Sequence, residues 1–262
     1  MSALPTVLVT GASSGIGATY AERFAQRGHD LVLVARDQAR LETLAARLRE
    51  HFAVAVEVLV ADLTQADALA RVEARLREDS RIGVMINNAG QGQSGGFLGQ
   101  DGASLERLIG LNVTAVTRLA AAIAPRLAEQ GTGAIVNIGS VVGLAPELGM
   151  TVYGATKAFV QFLSQGLALE LGQRGVYVQA VLPAATRTEI WSRSGLDINT
   201  LPEVMEVEDL VDAALVGYDR REAITIPPLQ HADRWAALDG ARQMLMGDLR
   251  QSQVAERYRS AQ

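Results

Sequence analysis

Short runs in which every position is apolar alternate along this chain with longer runs in which apolar residues return every third or fourth position. The runs TVLVT (6–10), LVLVA (31–35), VAVEVLV (54–60), GVMIN (83–87), AIVNIG (134–139), VYVQAVL (176–182) and ITI (224–226) are mostly apolar without alternation. Strands covered on both faces have that character. Between them the helical period predicts helices over about 15–27, 37–51, 65–78, 104–130, 151–173, 208–218 and 231–247. Strand and helix in regular alternation predict an α/β fold, a doubly wound parallel sheet of about seven strands with helices on both faces. No composition shift or repeat divides the chain, so residues 1–262 read as one domain. The least regular stretch, PAATRTEIWSRSGLDINTLPEVMEVED (183–209), leaves the carboxyl edge of the sixth strand. A segment of that length at that edge is expected to act as a lid over a ligand.

Composition narrows the partners. The 262 residues are 48% hydrophobic and carry a net charge of −5, which gives no reason to expect nucleic acid or an anionic membrane. There is no cysteine, so disulfides, thiolate metal sites and a cysteine nucleophile are excluded. His29, His51 and His231 lie far apart without metal-ligand spacing, and no metal is expected. The N-terminus lacks the basic and apolar regions of a signal peptide, and no run of about 18 uninterrupted apolar residues suggests a membrane span. A soluble cytoplasmic protein is the expectation.

The first strand runs directly into TGASSGIG, Thr10 to Gly17. Gly11, Gly15 and Gly17 fall between a strand and a helix start, where backbone N–H groups can approach a pyrophosphate at the helix N-terminus. Ser13 and Ser14 add hydroxyl donors. The same glycines would also serve close helix–strand packing alone. The second strand ends in Ala35, Arg36, Asp37, with a cation where NAD-binding folds often place an acid. Arg36 there favours a 2′-phosphate, hence NADP(H) over NAD(H), and Asp37 reads equally as a helix N-cap.

Of the 24 lysines and arginines, only Lys157 is lysine, and it follows Tyr153 by four residues in TVYGATKAFV. Residues four apart share one helix face, so the phenol and the ammonium can occupy one site. Arginine's planar fork is bulkier and fixed in direction, whereas an ammonium is compact. A tyrosine pKa near 10 is far from neutrality, and a nearby ammonium is expected to lower it.

With the glycine turn, NNAG (87–90), Ser140 and YGATK in this order, the chain resembles the short-chain dehydrogenase/reductase family, in its shorter single-domain, Rossmann-like form. The resemblance runs from Thr6 to about Thr225. It implies that Gly11, Ser13, Ile16 and Gly17 form the cofactor pyrophosphate turn. Asp62, with Leu63 beside it, would hold the adenine edge, and Asn88, Ala89 and Gly90 would line the adenosine ribose. Asn112 would anchor a proton-relay water, completing a catalytic tetrad with Ser140, Tyr153 and Lys157. Pro183 opens the segment near the nicotinamide, and Thr188 would contact its carboxamide. Ala184 stands where the family commonly has glycine.

These residues imply an oxidoreductase interconverting a ketone or aldehyde and an alcohol. Ser140 would donate to the substrate oxygen as charge develops, and Tyr153 would exchange the proton. Apolar Val141, Val142, Met150 and Trp191 suggest a hydrophobic pocket, though each reads equally as core packing, and the loop GQSGGF (92–97) reads either as a border of the substrate site or as a flexible loop. The resemblance also implies a homodimer or homotetramer assembled through C-terminal elements such as 226–245, a stretch that reads equally as a monomer's capping helix. The alternative is a catalytically silent dinucleotide-binding sensor of the same fold; a sugar-nucleotide epimerase or dehydratase fits the length and glycine spacing less well.

Overall fold

The computed structural model describes residues 4–93, 96–193 and 197–259. They form two compact units, Met1–Pro227 and Pro228–Gln262. Seven strands lie in the larger unit: β1 (Thr6–Thr10), β2 (Leu31–Ala35), β3 (Val56–Val60), β4 (Ile82–Asn87), β5 (Ala134–Ile138), β6 (Tyr177–Val181) and β7 (Ile224–Thr225). All pairings are parallel, in the order β3-β2-β1-β4-β5-β6-β7. The order reverses between β1 and β4, and in open α/β sheets ligands bind at the carboxyl ends of such a pair.

The unbroken apolar runs have the expected cause. Val7 and Val9 of β1 face one core, built with α1 (Gly15–Gln26) and α2 (Gln38–Phe52), while Leu8 between them faces another, built with α3 (Ala66–Glu78). Every residue of β1, β2 and β5 is buried. At about 25 cal/mol per Å² of apolar surface, burial on two faces makes each of these strands strongly stabilising.

The stretch predicted as one helix over 104–130 is three pieces. The α-helices α4 (Gly102–Ile109) and α5 (Val116–Gln130) flank a π-helical turn, Gly110–Ala115. Over Gly102–Gln130 the run is long and apolar enough to cross a membrane by length and composition, with half of its most apolar window buried inside the fold. Leu119, Ile123 and Leu127 of α5 are fully buried in the second core.

The remaining helices are α6 (Thr151–Gly172), α7 (Ile190–Arg193), α8 (Val207–Asp219) and α9 (Ala232–Asp248). The irregular segment after β6 closes on its own base. Thr186 bridges Met205 in parallel, with Met205 N donating to Ala185 O and Arg187 N to Met205 O, each at 2.9 Å. Residues 194–196 of this segment, and 94–95 of the loop after β4, lie outside the described residues. The smaller unit holds α9, none of whose residues is buried.

Candidate active site

The glycine turn is built by close approach. Gly11 has φ +67°, and a Cβ there would lie 2.7 Å from Asn88 Nδ2 and 2.9 Å from Ala89 Cα. A Cβ on Gly17 would meet Gly11 O at 2.4 Å. Only glycine lets the turn fold back on itself and lie against the end of β4. Asn88 Nδ2 clamps it, donating to Thr10 O at 2.9 Å and Gly11 O at 3.3 Å. Thr10 Oγ1 accepts from both Asn88 N (3.0 Å) and Ala89 N (2.9 Å). Ser14 stands at the N-cap of α1 without using its side chain as a cap. Ser13 lies half-buried in the turn, and Ile16 packs on the first core. Positive φ, glycines that admit no side chain and a helix N-terminus make a cradle that fits a dinucleotide pyrophosphate.

At the end of β2, Arg36 is 70% exposed and lies 4.0 Å from Asp62 Oδ2. Asp37 caps α2, accepting from Arg40 N at 3.1 Å. The other oxygen of Asp62, Oδ1, accepts from Thr64 N and Thr64 Oγ1. The Leu63 side chain is spent on the second core. A cation therefore stands at the open edge where a ribose 2′ substituent would lie, and no acid of β2 itself competes with it.

On the other side of the switch point, Ser140 follows β5 and caps a short 3-10 turn, Val141–Leu144, accepting from Val142 N at 3.2 Å. Its Oγ donates to Pro183 O at 3.3 Å, and Val141 N donates to the same carbonyl at 2.9 Å. The turn presses into α6. A Cβ on Gly143 would fall 2.6 Å from Ala158 N and 2.8 Å from Lys157 C. Gly154 lies in turn against Val142, where a Cβ would be 3.1 Å from Val142 O. These two contacts set Ser140 against the first turn of α6, which carries Tyr153 and Lys157 one turn apart.

Lys157 Nζ donates to Ile138 O at 2.9 Å and lies 5.7 Å from the centre of the Tyr153 ring. Burial pushes the Lys157 ammonium down to about 8. Burial pushes the Tyr153 phenol up to about 12, against a downward pull from its hydrogen bond with Ser140. The net shift of the phenol is thus upward, opposite to the direction expected from the ammonium alone, because burial outweighs it. Both groups lose water in one crevice, and desolvation penalises each charged form. The ammonium's hydrogen bond, moreover, goes to a strand carbonyl.

Asn112 sits in the π turn. Its side chain is committed, accepting from Gln91 N and donating to Gln91 O at 2.9 Å each and to Thr156 Oγ1 at 3.2 Å. It therefore holds the loop after β4 against α6, and Gly90 is set beside it. A Cβ on Gly90 would lie 3.4 Å from Asn112 Oδ1 and 3.6 Å from Lys157 Nζ. A π turn takes carbonyls out of the regular helical ladder, and such turns recur at functional sites.

Thr188 lies over the glycine turn, its Cγ2 3.1 Å from the place of a Cβ on Gly15. Trp191 Nε1 donates to Thr186 O at 2.7 Å, which fixes the indole within its own segment. Met150, Val152 and Phe97, with Gln93, Gln100, Thr151 and Tyr153, line a narrow cavity beside the phenol. The structure thus brings the Ser140–Tyr153–Lys157 group, Asn112 and Gly90 together at the carboxyl edge, with the glycine turn and Asn88 next to them. Arg36 and Asp62 form a separate edge at β2 and β3. Sequence reasoning passed over Thr10, Gly143 and Thr156; the one available signal was a lone polar residue closing an apolar strand at Thr10.

A cradle that fits a nucleotide thus lies at the switch point and adjoins a serine, a tyrosine and a lysine. A profile described as short chain dehydrogenase matches residues 5–199, and the chain belongs to the short-chain dehydrogenase/reductase family. It is similar to a short-chain dehydrogenase from Sphingobium yanoikuyae solved in complex with NADPH, with 74% identity and a TM-score of 0.97 over 98% of this chain and 100% of that one. It is also similar to the bulky-bulky ketone specific alcohol dehydrogenase from Comamonas testosteroni, with 65% identity and a TM-score of 0.92 over 98% of this chain and 99% of the other. Among curated relatives, a very-long-chain 3-oxoacyl-CoA reductase from Bos taurus is 36% identical over 187 residues, 70% of this chain and 60% of that protein's length.

Proposed function

We propose that the chain is an NADP(H)-dependent oxidoreductase that interconverts a bulky apolar ketone and its secondary alcohol. The observation that carries the reading is the convergence of Ser140, Tyr153 and Lys157 beside the glycine cradle, which also argues against a binding-only role. NADP(H) supplies or accepts the hydride when bound. Gly11, Ser13, Ser14, Ile16 and Gly17 would hold its pyrophosphate, Arg36 its 2′-phosphate, Asp62 and Leu63 its adenine, and Asn88, Ala89 and Gly90 its adenosine ribose. Pro183 and Thr188 would hold the nicotinamide end.

The chain's own residues do the rest. In reduction, the carbonyl π bond breaks as hydride forms the new C–H bond, and charge develops on oxygen. Ser140 Oγ and Tyr153 Oη hold that oxygen, and Tyr153 delivers the proton that makes the new O–H bond. With burial holding its pKa near 12, Tyr153 carries that proton at neutral pH. Lys157, its pKa pushed down to about 8, is mostly an ammonium at neutral pH, and its charge stabilises the tyrosinate left behind. Asn112 keeps Gly90 and Gln91 in place against the lysine.

Phe97, Met150 and Val152 share the wall beside Tyr153 with Gln93, Gln100 and Thr151, and the three apolar side chains offer contacts for a hydrophobic substrate. The Comamonas relative is described as bulky-bulky ketone specific, which supports a bulky ketone as substrate. The segment 183–209, joined at its base through Thr186 and Met205, would act as the lid over the ligand at the carboxyl edge. In α9, Leu238 is 54% exposed, Met244 72% and Leu245 56%, which supports assembly into a homodimer or homotetramer through the smaller unit. A soluble cytoplasmic location completes the reading.

The test is paired titration with NADPH and NADH by nicotinamide fluorescence, then reduction of an aryl ketone by wild type and Tyr153→Phe. Tighter NADPH binding with turnover lost in the variant supports the reading. Binding of neither cofactor, or full activity in Tyr153→Phe, overturns it.

A further inference from the structure

The first turn of α2 carries a second arginine whose partner comes from the far side of the site. Arg40 NH1 donates to both carboxylate oxygens of Glu189, Oε1 at 2.8 Å and Oε2 at 2.7 Å, across 149 positions of sequence. Its Nε lies 3.4 Å from Asp37 Oδ2. Arg40 is four residues after Arg36, and Glu189 follows Thr188, which lies against Gly15 of the glycine turn. The pair therefore spans from the edge where a 2′-phosphate would lie to the start of the lid segment. Both side chains are about half exposed, 47% for Arg40 and 45% for Glu189, so the pair can exchange partners.

We infer that Arg40 is a second ligand for the cofactor 2′-phosphate, and that Glu189 sets NADP(H)-over-NAD(H) discrimination by competing with that phosphate for it. The inference rests on the reading of the site as an NADP(H) site. A phosphate dianion offers a guanidinium more charge and more acceptor oxygens than a carboxylate does. Arg36 lies just before the N-cap Asp37 and Arg40 in the first turn of α2, so both guanidinium groups belong to the same strand-to-helix junction and can close on one phosphate there. NADH lacks the phosphate and leaves the Arg40–Glu189 pair intact. NADPH gains the second arginine but gives up that pair, so Glu189 limits how far the chain prefers NADPH.

The test measures Kd for NADPH and for NADH in wild type, Glu189→Gln, Arg40→Gln and the double variant, with melting temperatures to show that each is folded. Glu189→Gln is expected to raise the NADPH preference about two- to fivefold, the range of an exposed ion pair. Arg40→Gln is expected to lower it about tenfold, at the scale of a charge-assisted hydrogen bond, with NADH binding little changed. The double variant is expected to match Arg40→Gln in cofactor preference, because the effect of Glu189 on the 2′-phosphate runs through Arg40. Equal shifts for both cofactors, or no shift in either single variant, overturn the inference. If Arg36→Ala alone abolishes the preference while the Arg40 and Glu189 variants leave it untouched, the NADP(H) reading stands and the exchange fails. If wild type itself shows no NADPH preference, both fall together.

Discussion

Lys157 Nζ lies 5.7 Å from the centre of the Tyr153 ring, yet it spends its hydrogen bond on Ile138 O at 2.9 Å. The ammonium is thus placed by the end of β5 and acts on the phenol through space. Burial disfavours charge on both groups, which gives each a measurable signature.

Lys157 is the single lysine of the chain, so its titration can be read without assignment. In the cofactor-free protein the 15N signal of its Nζ is expected to titrate near 8. An unfolded chain holds that proton to about 10.4. Between these values the unfolded state binds more protons than the folded one, so stability rises with pH through this window. Lys157→Met is expected to flatten that rise in denaturant titrations. An Nζ that titrates near its solution value would remove the desolvated-ammonium account.

Tyr153, raised to about 12, gives a directional prediction. The phenol is protonated throughout the neutral range, so ketone reduction has its proton donor in place. Alcohol oxidation needs tyrosinate, and the ratio of oxidation to reduction kcat is expected to climb from pH 7 to 10. Tyr153→Phe is expected to cut reduction by about 10²- to 10⁴-fold, the usual weight of a positioned acid, while leaving NADPH affinity nearly intact. A ratio that is flat with pH would show that another group supplies the proton.

Much of this was legible in the chain because the sheet is covered on both faces. Unbroken apolar runs such as LVLVA can only be central strands there, and only their ends shift, as with β3 beginning at Val56 instead of residue 54. The break at Gly110–Ala115 was not legible, because a π turn leaves the apolar periodicity of the flanking helices intact. Asn112 was legible as a site residue, but not its bonds to Gln91 and Thr156, which depend on where the loop after β4 lands. The sign of the Tyr153 shift was hidden for a related reason. Spacing reports that a cation is near, whereas desolvation depends on what the fold places around both groups.

Gly143 tests how Ser140 is aligned with Tyr153. It touches no reacting atom, but a methyl there would meet Ala158 N at 2.6 Å and force the serine turn off α6. Gly143→Ala is expected to lower kcat by about 100-fold, as displacement of about 1 Å does at other sites. The overpacking is expected to lower the melting temperature by about 5 °C. A variant with wild-type kcat would mean that Ser140 keeps its position independently of this contact.

Thr10 carries the last prediction. Its hydroxyl donates to Ile86 O at 3.3 Å and accepts from Asn88 N and Ala89 N, so one side chain ties the glycine turn to the end of β4. Thr10→Val keeps the shape and removes the oxygen, leaving two partly buried amides without that acceptor. At about 1–3 kcal/mol for an unsatisfied group, the loss is expected to appear both as a lower melting temperature and as weaker NADPH binding. Because the amides belong to the segment assigned to the adenosine ribose, NADPH and NADH affinities are expected to fall together, in contrast to the Arg40 variants. Thr10→Ser restores the acceptor and is expected to recover both properties. If Thr10→Val weakens the fold but leaves cofactor affinity unchanged, the clamp serves the sheet alone, and the glycine turn holds its shape through Asn88 Nδ2.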